Sequence, residues 1–201
     1  MHKDGIRCLL FQLLPLLEDA HKQAEQILTQ RLGSKIKIII RSFLNEALIS
    51  QITAIDNEKF RAELWYTSEE LLEKTKKKDF TCFLVYLDEN PVAFLYGYDD
   101  DFDPSWFFLD EIATRIEGRG IGNVLITLLL MYCAELDYRY VTLYTESSDD
   151  KGRPLKMFYE HIGFNHLADD PEKGTIMIYS IKEDKLYNLY KRVMFSKNPT
   201  S

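Results

Sequence analysis

Cysteine is scarce in this 201-residue sequence, with three residues, at 8, 82 and 133, and no Cys-x-x-Cys pair. That number and spacing exclude a disulfide-stapled scaffold and a cysteine-built zinc site. They fit buried free thiols in a reducing compartment, so a cytoplasmic protein is expected. Four histidines, at 2, 21, 161 and 166, show no metal-ligand spacing, and no metal is expected. Nine glycines and six prolines are too few for a collagen-like or low-complexity chain. No apolar run reaches the roughly 18 residues of a spanning helix. Lys3 and Arg7 do precede a leucine-rich stretch, residues 8–17, that resembles the core of a signal peptide. Gln12 and Pro15 interrupt it, and Glu18-Asp19 follow instead of a small-residue cleavage site, so export is not expected. Positive charge is also short: 25 Lys+Arg stand against 32 Asp+Glu, a net charge of −7. Such a chain is repelled by phosphate backbones. No nucleic-acid or membrane partner is expected, and a cationic partner is mildly favoured.

What is present is an apolar fraction of 46%, with 12 Tyr and 12 Phe, in a length suited to one domain. Residues 6–32 keep a helical apolar spacing through Leu9, Leu13, Leu16, Leu17, Ile27 and Leu28, with Pro15 kinking or dividing the helix and Gly33 ending it. Residues 35–41 read as a strand and 44–60 as a helix. A second helix starts at Ser68 as its cap. Strands are expected at 80–87 and 92–98, forming a hairpin across Asp88-Glu-Asn-Pro91, and at 106–114. Residues 123–136 form a helix apolar on nearly every face, which belongs inside the protein. A strand at 140–145, a short helix at 153–161, a strand at 175–181 and a basic helix at 185–195 complete a mixed α/β order. Residues 1–34 and 183–201 read as helical extensions of a 35–182 domain. Their apolar faces must pair within the chain or form a homodimer.

The segment between the third long strand and the buried helix carries the chemistry. Gly118, Gly120 and Gly122 alternate there, so backbone amides can approach a ligand closely at a helix start, a geometry suited to phosphate. A dinucleotide fingerprint would need glycine where Asn123 stands, and a nucleotide P-loop would need Gly-Lys-Ser/Thr. Neither is present.

The phrase GRGIGNVLITLLL resembles the acyl-CoA-binding motif of the GNAT N-acyltransferase superfamily, Gln/Arg-x-x-Gly-x-Gly/Ala. Leu155-Lys-Met-Phe-Tyr-Glu-His-Ile-Gly-Phe164 is similar to that family's second motif, and Glu89-Asn-Pro-Val-Ala-Phe94 to its central hairpin. The resemblance implies the GNAT-like acyl-CoA N-acyltransferase fold, a mixed twisted sheet splayed at two parallel strands, here 106–114 and 140–145, with helices on both faces. It implies acetyl-CoA as cosubstrate and an amine as acceptor. Ile112, Ala113 and Thr114 would pair with the pantetheine arm. Residues Glu117, Gly118, Arg119, Gly120, Ile121, Gly122 and Asn123 would meet the pyrophosphate, with Arg153 near it. Tyr159 would protonate the departing thiolate. Glu111 or Asp110 would act as base or orient the amine; adjacent strand residues alternate faces, so one of the two is expected to serve, with Glu111 preferred unless a strand bulge reverses the choice.

The sequence departs from the pattern in places. Glu117 stands where Gln or Arg is usual, leaving Arg115 or Arg119 to meet the pyrophosphate. Gly152 replaces a common Asn. These departures motivate an alternative reading, a non-catalytic acyl-CoA-binding or interaction module. On the acceptor side, Trp65, Tyr66 and Tyr96 are pocket candidates. Asp99, Asp100, Asp101 and Asp103 could draw a cationic amine toward the site, within a 35–180 segment that holds a net −10.

Overall fold

The protein, as a computed structural model, is described over residues 13–146, 148, 152 and 154–196. The first part of the expected amino-terminal helix, residues 6–12 with Cys8, lies outside the described residues, as does Arg153.

Helix α1 (Leu17–Leu32) begins two residues after Pro15 and ends on Gly33 in the left-handed conformation. Pro15 therefore bounds the helix rather than kinking it, since Leu16 ahead of it is extended. Strand β1 (Ile36–Arg41) follows, then α2 (Glu46–Lys59), capped by the Asn45 side chain accepting from the Leu48 amide. Helix α3 (Ser68–Lys74) carries a reciprocal capping box between Thr67 and Glu70. The cap is thus Thr67, one residue before the expected Ser68, because Glu70 sits three residues beyond it and closes the box. Strands β2 (Thr81–Leu87), β3 (Asn90–Asp99) and β4 (Trp106–Thr114) form a meander. Helix α4 (Ile121–Glu135), strand β5 (Tyr140–Thr145) and helix α5 (Leu155–Ile162) come next. Strand β6 (Asn165–Asp170), β7 (Gly174–Ser180) and α6 (Glu183–Phe195) complete the order. The expected elements omit β6, whose sequence NHLADD is almost wholly exposed and carries no apolar alternation. It exists as an edge strand because β7 offers it a ladder.

The sheet runs β1-β2-β3-β4-β5-β7-β6. Every neighbouring pair is antiparallel except β4 and β5. That parallel pair is joined only at Trp106–Tyr140, Phe107–Val141 and Phe108–Thr142. Beyond Phe108 the two strands part, and among the described residues the β5-facing backbone edge of residues 110–114 has no strand beside it.

Two apolar cores fill the two faces. On one face α4 lies between the sheet and the terminal helices, and Ile121, residues 124–131, Cys133 and Ala134 are all buried. Ala20, Ala24 and Leu28 of α1 and Leu186, Leu189 and Met194 of α6 join this same core. The terminal helices therefore bury their stripes on the chain's own domain. On the other face Ile49, Ile52 and Ile55 of α2 and Leu71 of α3 pack against Cys82, Leu84, Phe94 and Tyr96. Among the described residues no helix is long and apolar enough to cross a membrane, and no group of three or more His, Cys, Asp or Glu could hold a metal.

Candidate active site

The centre of the site is an irregularity in β4. Tyr96 pairs with Glu111 but Gly97 pairs with Leu109, so Asp110 is an extra residue, a β-bulge. Gly97 makes this possible: a Cβ there would lie 2.3 Å from the Phe108 carbonyl oxygen and 2.5 Å from the Phe107 ring. Across a bulge the alternation of faces fails. Asp110 and Glu111 consequently both turn toward α2 and α3. The expectation that only one could serve, drawn from regular alternation, is corrected by this geometry.

Asp110 accepts hydrogen bonds from Lys74 Nζ at 2.5 Å and from Tyr98 Oη at 3.0 Å. The Lys74 ammonium also lies over the Tyr66 ring, 4.1 Å from its centroid. Burial works against that ammonium, but the Asp110 charge and hydrogen bond outweigh it and hold its pKa above the ordinary lysine value. Glu111 accepts from Tyr96 Oη and meets a second carboxyl, that of Asp56 on α2. Asp56 is only 2% exposed. One of its oxygens accepts weakly from the Tyr66 amide at 3.4 Å; the other has no hydrogen-bond partner. Burial first, and then the neighbouring Asp56, push Glu111 well above the usual carboxylate range, while the Tyr96 hydroxyl works the other way. Burial likewise raises Asp56, while the neighbouring Glu111 carboxyl and the Tyr66 amide work the other way. Neither Asp56 nor Lys74 is among the candidates read from the sequence. The signal for Asp56 was available: it sits four residues after Ile52 and seven after Ile49, on the buried face of α2.

Of the aromatic pocket candidates, Tyr66 and Tyr96 touch this cluster, whereas Trp65 is 41% exposed and donates to the Phe60 carbonyl.

At the far end of β4 the glycine loop turns directly into α4. Gly118 and Gly120 have φ of 70° and 76°, and Gly120 is the N-cap of α4. The first-turn amides of α4 have no carbonyl a turn earlier to pair with, so they point into the loop. Gly122 packs tightly; a Cβ there would lie 3.2 Å from Phe158 of α5 and 3.9 Å from Ile112 of β4. Helix α4, α5 and β4 thus converge at the mouth of the gap. Ile112 faces the α4 side and Ala113 the α2 side, and Thr114 donates to the Ile116 carbonyl at 3.1 Å.

Tyr159 lies in the core on the α4 side, its ring held edge-on by Phe158 and Phe164 at centroid distances of 5.1 and 5.7 Å. Burial pushes its phenol well above the ordinary tyrosine value, so it stays protonated. Glu111 and Asp110 are on one side of the sheet and Tyr159 on the other, with the β4–β5 gap between them.

Two charge assignments are corrected. Arg115 does not turn to the loop: it forks onto Glu58 at 2.6 and 2.8 Å and donates to the Pro91 and Ala54 carbonyls, fastening α2 to β4. Glu117 pairs with Lys59 at 3.4 Å, and Arg119 is exposed. The acids of 99–103 do not form a free steering patch either. Asp99 takes Tyr138 and Lys78, Asp101 takes Lys77, and Asp100 and Asp103 cap backbone and serine groups of their own turn.

A mixed sheet opened between its two parallel strands, with a glycine loop and a helix start at the mouth, is the N-acyltransferase fold. The chain belongs to the acetyltransferase (GNAT) family, whose model matches residues 46–164. Solved structures share the fold. Aminoglycoside 6'-acetyltransferase type Ii superposes with a TM-score of 0.60 at 19% identity, over 71% of this chain and 97% of that one. The ribosomal-protein-S18-alanine N-acetyltransferase from Escherichia coli gives 0.58 at 15%, over 73% and 95%. The PaiA N-acetyltransferase from Thermoplasma acidophilum, in complex with coenzyme A, gives 0.58 at 16%, over 72% and 99%. No curated protein sequence matches the chain.

Proposed function

We propose that the protein is an N-acetyltransferase that moves an acetyl group from acetyl-CoA to a primary amine, a small cationic amine or one on a peptide or protein, by direct attack in a ternary complex. The observation that carries this reading is the β4–β5 gap, with buried carboxyls on one side and a buried, protonated tyrosine on the other. The amides of Gly118–Gly122 and the start of α4 suit the pyrophosphate, with Arg119 and Arg153 as the nearby cations in sequence. The unpaired edge of Ile112–Thr114 suits the pantetheine amides, and a backbone N–H there would polarise the thioester carbonyl. Glu111 receives the proton that an acceptor ammonium must lose. The amine nitrogen then bonds the acetyl carbon, the carbon–sulfur bond breaks as Tyr159 donates to the leaving thiolate, and the extra proton on the nitrogen passes to the Tyr159 phenolate, leaving the amide and the free thiol. The structure of a coenzyme A complex on the same fold supports the placement of the cosubstrate by analogy.

One observation favours the alternative of a non-catalytic acyl-CoA-binding module: Arg115 and Glu117, both beside the loop, are occupied by α2. Incubation with acetyl-CoA and a panel of amines, following free thiol, separates the two. Thiol release that depends on an amine supports the enzyme; binding of acetyl-CoA with no release for any amine class supports the module.

A further inference from the structure

Asp56 and Glu111 each act on the other's carboxyl, and Asp56 is 2% exposed with a buried Oδ1 that no donor reaches, so the two cannot both be charged at low cost. A proton between them turns repulsion into a hydrogen bond. Among the described residues the pair has no cation of its own. From β3, Tyr96 donates to Glu111, and Tyr98 donates to Asp110. From β2, the buried Cys82 thiol adds no charge, since burial pushes it well above its ordinary value. From the segment before α3, Tyr66 offers its amide to Asp56. From α3, Lys74 is the charged group that faces the cluster, and it is held by Asp110.

We propose that Asp56 is a positioning residue for acyl transfer: its buried carboxylate shares one proton with Glu111, so that the pair, rather than Glu111 alone, takes the acceptor's proton. The inference rests on the reading of Glu111 as proton acceptor. The balance is simple. Before attack the pair holds one proton. The acceptor ammonium gives a proton to Glu111, whose own proton moves along the shared hydrogen bond to Asp56. The amine is left neutral, the pair holds two protons, and the second returns to solvent after the amide has formed. Lys74 and Asp110 stay an ion pair throughout, so the site changes charge only at the carboxyl pair.

The test uses the full chain with Asp56→Asn, which keeps the shape and can still hydrogen-bond Glu111 but cannot accept its proton. With an amine that the wild-type protein acetylates, the acidic limb of the kcat/KM profile should move up by about one pH unit or more, because a lone Glu111 takes up its proton at a higher pH than a pair that already shares one. KM for acetyl-CoA should not change. Infrared spectra at neutral pH should show a protonated-carboxyl C=O band in the wild type that disappears in both Asp56→Asn and Glu111→Gln. An unmoved limb in an active variant, or a band that survives in Asp56→Asn, overturns the role given to Asp56. If the wild-type protein acetylates no amine, the proposed function itself fails, a result distinct from either of those.

Discussion

Replacing Tyr159 by phenylalanine isolates one hydroxyl. The ring is held by Phe158 and Phe164, and phenylalanine keeps both edge-to-face contacts. Stability should therefore change by no more than about 0.5 kcal/mol. Alanine would be a poor test, because removing a buried aromatic side chain costs about 3–5 kcal/mol and collapses the α5 packing. What phenylalanine loses is the proton donor. Burial keeps the phenol protonated far above the ordinary tyrosine value, so the wild-type group has a proton to give at any pH where the amine is reactive. A positioned general acid contributes at least about 100-fold, equivalent to about 2.7 kcal/mol of barrier. The expected result is a fall in kcat of at least about that size, with acetyl-CoA affinity by calorimetry unchanged within about twofold. Free-thiol release measures the first and titration of the cosubstrate the second. A kcat within about twofold of wild type would show that Tyr159 is a core tyrosine and that the thiolate takes its proton elsewhere.

Other expectations follow from the same geometry. Gly120→Val places a β-branched residue at φ 76°, a conformation that costs about 1–2 kcal/mol outside glycine, and disturbs the start of α4; acetyl-CoA binding should be lost, and retained binding by calorimetry sinks the loop assignment. Arg115→Ala should lower Tm, because it unfastens α2 from β4, yet leave acetyl-CoA affinity within about twofold; a large loss of affinity would put Arg115 back at the pyrophosphate. Asp100→Asn and Asp101→Asn should leave KM for every accepted amine unchanged, since Asp101 is spent on Lys77 and Asp100 on its turn, and a raised KM would restore the steering role. The Asp56–Glu111 pair has folded pKa values above the unfolded ones, so its contribution is fully favourable only below the ordinary carboxylate range and is lost as pH rises through the raised values. Thermal melts should therefore show Asp56→Asn gaining Tm over wild type as pH goes from about 5 to about 8, and a constant difference would contradict the shared proton.

The hairpin, the glycine loop and the all-round apolar helix were legible from local pattern, because each rests on near neighbours in the chain. Gly118 and Gly120 need no partner to adopt positive φ, and α4 declares itself by having no polar face. The family resemblance rested on such local phrases, and the family model matches the region that holds both of its main motifs. Strand β6 was not legible, since its ladder comes from β7 and its own residues face water. The bulge at Asp110 was not legible either. It depends on Gly97 lying against Phe107 and Phe108, residues about ten positions apart that meet only in the sheet.

The division between sequence and structure is clearest for charge. The sequence by itself determined the net −7, the acids at 99–103 and the adjacent carboxylates at 110–111. Tertiary structure decided which of them matter. The exposed-looking run at 99–103 is spent on lysines and its own turn, while Asp56, an unremarked acid on an apolar helix, is buried against Glu111. The physical reason is that a carboxylate's role is set by its desolvation and its partners. Both are properties of the space around it, and helices α2 and α3, closing over the bulge, create that space.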